Sequence, residues 1–178
     1  MTISPASTEP TTTREQRDLL ETLAKHRDFL RVTVRDLTDD QAALTPTASA
    51  LCLCGIIKHV AAMETGWVDF LVDGPSAMEF TGDPAQIEAH SAQFRAMPGD
   101  TVASVLADYE RVALRTDQMI RDTTDFDASH PLPAAPWFEP GAEWSVRRVF
   151  LHLIAETSQH AGHADIIRET IDGSRTMG

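Results

Sequence analysis

Apolar residues recur at steps of three and four along four stretches of the chain. The first stripe is Leu19, Leu20, Leu23, His26 or Arg27, Leu30, Val34 and Leu37, the spacing that puts side chains on one face of a helix. It predicts a helix from Thr13. The pattern Thr38-Asp39-Asp40-Gln41 then reads as a capping box opening a short separate turn before Pro46. A second helix, capped by Ser49, has the seam Leu53, Ile56, Val60, Met63, Trp67 and Phe70 and stops at Asp73-Gly74-Pro75. The third starts at Asp100 or Thr101, with the face Val102, Val105, Leu106, Tyr109, Val112, Ala113, Thr116, Met119 and Ile120. The fourth runs from about Ser145 to Ile171, with Gly173 as its terminator.

Two long connections separate these helices. Gly74 to Gly99 mixes Pro, Gly, Asp and Ser with Phe80 and Phe94, and a helical piece is expected around Ala85 to Arg95. Thr123 to Glu143 is Pro-rich and holds His130, Trp137 and Phe138. Long ordered loops in compact domains are often functional. No strand alternation and no internal repeat stand out. The expectation is an all-α chain: an up-down four-helix bundle with long connections after the second and third helices. Residues 1–12, rich in Ser, Thr and Pro, read as a frayed tail, and residues 13–178 as a single domain.

Composition narrows the function classes. A chain of 178 residues buries an adequate core without disulfides or a structural metal, so any metal is expected to serve function. The net charge of -12 argues against nucleic acid and anionic membranes as partners, because both are held by clustered Lys and Arg. No apolar run approaches the roughly 20 residues that span a bilayer, and Met1 to Thr13 lacks the basic start and apolar block of a secretory signal. A cytoplasmic location is the expectation. Cys52 and Cys54, two apart in an apolar run, diverge on a helix and read as free buried thiols. The other reading of this pair is a C-x-C metal site.

The fourth helix carries the chemistry. Its seam is Val146, Val149, Leu153, Glu156, His160, His163 and Ile167, so positions that should be apolar turn ionisable halfway along. Buried charges are normally paired or bound to metal. Glu156 and His160, four apart, share a face and can share one cation. On the second helix His59, three after Ile56 and four before Met63, looks inward while Lys58 looks out. One His from one helix and a Glu and a His from another make a mixed nitrogen and oxygen site with room for a fourth ligand. Each position also has a plainer reading: His59 as a satisfied core histidine, Glu156 and His160 as a buried hydrogen-bonded pair without metal. His152, on the flank, and His163, one turn on, are supporting or surface residues; His26, His90 and His130 are given no role.

The segment HLIAETSQHAGHADIIRETIDG, His152 to Gly173, closely resembles the last helix of the DinB/YfiT-like metalloenzymes, in their actinobacterial branch linked to mycothiol-dependent chemistry. GIIKHVAAMETGW, Gly55 to Trp67, looks like that branch's second helix, with His59 followed by Glu64 and Trp67, and the opening from Arg17 is similar too. In the wider superfamily three histidines hold the metal, one on the second helix and two, four apart, on the last. By position these become His59, Glu156 and His160, with Glu156 where many relatives have a histidine and Glu64, His152 and His163 as supporting candidates. The resemblance implies a divalent ion, zinc first and nickel among the alternatives. It also implies a thiol S-transferase or related reaction joining a low-molecular-weight thiol such as mycothiol to a small electrophile. The remaining alternatives are a non-catalytic metal or ligand binder of a stress or regulatory kind, and a homodimeric interaction protein without chemistry.

Overall fold

The computed structural model describes residues 12–135 and 137–176; nearly all of the expected N-terminal tail lies outside them. Six α-helices and one small β-ribbon make up the described chain. Helix α1 (Arg14–Val32) opens on a capping box in which Thr13 accepts from the Gln16 amide and the Gln16 side chain accepts from the Thr13 amide. Its stripe Leu19, Leu23, Arg27 and Leu30 is buried. The short α2 (Asp39–Ala42) begins on the Thr38–Gln41 capping box that the sequence announces.

Helix α3 (Leu53–Asp73) starts three residues later than the Ser49 signal implies, because the Cys52 sulfur accepts from the Gly55 amide and acts as the cap. Both cysteines are free and buried, and burial pushes the Cys54 thiol up to about 11, well away from the thiolate form that binds metal. A 3-10 turn (Gly74–Met78) and α4 (Pro84–Ala92) occupy the first long connection. Helix α5 (Val102–Asp122) is followed by β1 (Ser129–Pro131), which pairs antiparallel with β2 (Glu143–Ser145). Three-residue strands are too short to show alternation, hence their absence from the sequence reading. Helix α6 (Val146–Asp172) ends on Gly173 at φ 80°, a left-handed cap that suits glycine.

The four long helices pack in a ring: α1 on α6, α6 on α3, α3 on α5 and α5 on α1. Their directions follow from the polar contacts. Glu15 meets Arg147 and Thr33 meets Arg168, so α1 and α6 run the same way. Lys58 meets Asp100 and Asp69 meets Arg115, so α3 and α5 run together in the opposite sense. The order is up, down, down, up, which corrects simple alternation. The connection between α3 and α5 is long enough to climb the length of the bundle before α5 begins, so a parallel return costs no strain. The core is two apolar clusters, one around Leu30, Leu53, Ile56, Val60 and Tyr109, the other around Leu23, Phe70, Ile120, Phe150 and Leu153. Burying each such side chain is worth about 1.5–3 kcal/mol. Between them Arg27 and Glu64 form an ion pair, their side chains only 2% and 0% exposed, and Asp117 accepts from the second guanidinium nitrogen at 2.7 Å.

Candidate metal centre

His59 from the upper third of α3, and Glu156 and His160 from α6, bring one donor atom each to within 4.8 Å of one another. The two helices run antiparallel and in contact, and the four-residue step on α6 stacks its two donors one turn apart. The His59 and His160 rings lie 4.8 Å apart, edge to face at 70°. Nε2 of His160 is 3.7 Å from the nearer Glu156 oxygen. That is beyond hydrogen-bond range, so the carboxylate and imidazole face a common point without binding each other.

The surroundings keep the donors available. Burial, then the neighbouring His160, bring His59 down to about 4, against the opposing pull of Gln93 and Glu156. Burial lowers His160 as well, with Glu156 opposing and His163 adding to the effect. Both imidazoles are therefore neutral near pH 7, the form that donates a lone pair. Each also has a buried Nδ1 without a hydrogen-bond partner among the described residues, unlike the ordinary core histidine, whose buried polar atoms are paired. The donor set of two neutral nitrogens and one carboxylate fits a divalent ion with an open position.

Helix α6 does not bury this seam as deeply as its spacing suggests. Beyond Leu153 the buried line moves to Thr157, Ala161 and Ala164, small residues that let α6 approach its neighbours, and then to Ile167 and Arg168. The Glu156 and His160 side chains are left 28% and 11% exposed, at the core's edge. His163 packs its ring 5.5 Å from His160, and its buried Nδ1 has no partner. His152 sits one turn before Glu156, its ring 5.0 Å from both Trp67 and Trp144, and is lowered by burial. Glu64 is not part of this convergence. The supporting role expected of it is corrected: it faces the bundle interior and is committed to Arg27.

Two features escape the sequence pattern. Phe94, just after α4, stacks on the His59 ring at 4.1 Å and 27°, and Trp144 stacks on Trp67 at 4.5 Å and 7° to build an aromatic wall below Glu156. Of Phe80, Phe94, Trp137 and Phe138 in the connections, Phe94 and Phe138 join these surfaces, Phe138 meeting the rings of Trp67 and Trp144. Phe80 and Trp137 instead meet each other edge to face, 5.9 Å apart, and are exposed. The open cleft of about 820 Å³ lined by Gln16, Arg121, Thr123 and Phe126 lies at the other end of the bundle from His59.

No helix among the described residues is long and apolar enough to cross a membrane. No curated protein sequence matches the chain significantly. The profile of the mycothiol-S-transferase family matches residues 18–173, a span that takes in all three converging donors and the long helices apart from the first turn of α1. The chain thus belongs to the DinB-like mycothiol-S-transferase family.

Proposed function

We propose that the protein is a divalent-metal-dependent S-transferase that joins mycothiol, or a closely similar low-molecular-weight thiol, to a small electrophile. His59, Glu156 and His160 are its metal ligands and zinc is the first candidate ion. The observation that carries this reading is the convergence of three metal-competent donors in a chain of this family.

A divalent ion, if held by His59, Glu156 and His160, would supply the positive charge that favours a thiolate over a thiol near neutral pH, where a free thiol of pKa about 8.5 is mostly protonated. The chain's own residues do the rest. His59 and His160 are held neutral by burial and offer nitrogen lone pairs without first losing a proton. Glu156 contributes the single negative charge of the set. Phe94 covers one side of His59, which leaves the side toward Glu156 and His160 for the reacting groups. In the transfer the thiol gives its proton to solvent water, the sulfur forms a bond to the electrophilic carbon, and the leaving group departs with the bonding electron pair.

The test is metal analysis of untagged protein purified without chelator, followed by an assay with a low-molecular-weight thiol and a chromogenic electrophile. The expected result is about one ion per chain and thiol-dependent turnover that chelation abolishes and zinc restores. Turnover indifferent to chelation would remove the metal from the mechanism, and metal without turnover would leave a binding protein.

A further inference from the structure

The segment that carries Phe94 is fastened to α3 at several points, none of them a metal ligand. Gly55 supplies the first. A Cβ added there would overlap the Phe94 carbonyl and lie 2.9 Å from the Arg95 nitrogen, so backbone lies on backbone and only glycine leaves the space. Lys58 supplies the second: its ammonium donates to the Arg95 carbonyl at 3.1 Å and to the Asp100 carboxylate at 2.6 Å. Asp100 in turn accepts from the Met97 amide at 2.8 Å, closing the segment on itself. Lys58 was expected to look out into solvent, yet its side chain is only 23% exposed. Between these points Phe94 lies flat on His59.

We propose that residues 93–100 form a roof pinned to α3, in which Gly55, Lys58 and Asp100 act as positioning residues that fix the His59 ring beneath Phe94 and close that side of the site to exchange. The fastening needs no metal, so the ring is oriented before an ion arrives. Preorganised donors of this kind hold metal longer, because a ligand that cannot swing away cannot begin dissociation. The part of the proposal that concerns exchange rests on His59 being a ligand; the part that concerns the ring does not.

The two parts are tested separately. In metal-free protein with labelled histidine, the His59 ring protons should be displaced by the Phe94 ring current. That displacement should be lost in Phe94→Leu and reduced in Gly55→Ala and Lys58→Met. In zinc-loaded protein, release to a chromogenic chelator should accelerate about tenfold in Gly55→Ala, Lys58→Met and Asp100→Asn. Gly66→Ala is the control, since a Cβ there meets nothing within 4 Å. Circular dichroism decides whether each variant is folded, and Lys58→Met and Asp100→Asn, which add no bulk, carry the test if Gly55→Ala is not. A His59 ring shift unaltered in Lys58→Met and Gly55→Ala would overturn the roof. Ring shifts that move while zinc release does not would overturn its control of exchange. If the wild-type protein takes up no zinc, the metal reading fails and the ring shift alone decides the positioning.

Discussion

Arg27 and Glu64 face each other across the bundle interior, a guanidinium from α1 and a carboxylate from α3 with no contact to solvent worth the name. Such a pair adds little over a well-packed apolar pair of the same volume, because desolvating two charges costs about what their attraction returns. Breaking it is different, since one buried charge is left without its partner.

Glu64→Gln is therefore expected to lower stability by about 3 kcal/mol, the lower end of the range for a broken buried pair, since Asp117 still holds the other guanidinium nitrogen. Denaturant midpoints measure this. The double variant Arg27→Met with Glu64→Leu should recover most of the loss, and a double variant as unstable as the single one would show that the charges themselves are required. Metal content should be unchanged in both, because Glu64 lies apart from the converging donors.

His160→Ala should cut bound metal by about tenfold or more with the bundle intact. Glu156→Gln should weaken binding, whereas Glu156→His should retain it, since imidazole is an equally good donor at that position. Equilibrium titration with a zinc indicator reads all three. Full occupancy in the His160 variant would exclude it as a ligand.

The pH dependence of the metal-free protein follows from imidazoles that the fold keeps uncharged. His59 titrates at about 4 when folded, and His160 and His152 are also lowered by burial, against an ordinary value of about 6.5. Between those values the unfolded chain binds more protons than the folded one, so stability rises with pH. The contribution is fully present above about 6.5 and is lost as pH falls toward 4. Urea midpoints of chelator-treated protein should decline through that window, and His59→Gln should decline less steeply. Parallel profiles for the two proteins would contradict the neutral, buried imidazole.

The four long helices and their stripes were legible in the sequence, as were the Thr38–Gln41 capping box and the Gly173 stop, because each is a local pattern. The three converging donors were legible too, since ionisable residues interrupt an apolar seam. The Arg27–Glu64 pair was not: Arg27 competed with His26 for one place on the stripe, and nothing local says that two charges distant in sequence will meet. The roof was equally hidden, since Phe94 reaches His59 only through the tertiary contact at Gly55. The start of α3 was misplaced because a hydroxyl at Ser49 is a better acceptor than the Cys52 thiol; in the fold Ser49 bonds the Leu51 amide instead. The sense of α5 could not be read, because a long connection permits either direction.

Gln16→Ala tests a different joint. Its side-chain amide donates to the Arg121 and Thr123 carbonyls at the end of α5, at 2.9 and 3.1 Å, while its oxygen accepts from Thr13. One residue thus completes the start of one helix and the end of another. Its removal should cost about 1–3 kcal/mol, the penalty for stranding part-buried polar groups. Thr13→Ala, which removes only the local cap, should cost about 1 kcal/mol. Equal losses in thermal denaturation would mean that the link to α5 contributes nothing.

The packing of α1 on α6 joins the first and the last helix of the described residues. During synthesis α1 leaves the ribosome with Leu19, Leu23 and Leu30 uncovered and waits for its principal partner until α6 has emerged. A helical protein closed in this way depends on contacts far apart in sequence and folds more slowly than one built from neighbouring hairpins. Until then the uncovered stripe is open to aggregation, and α6 acts as the clasp that ends that exposure.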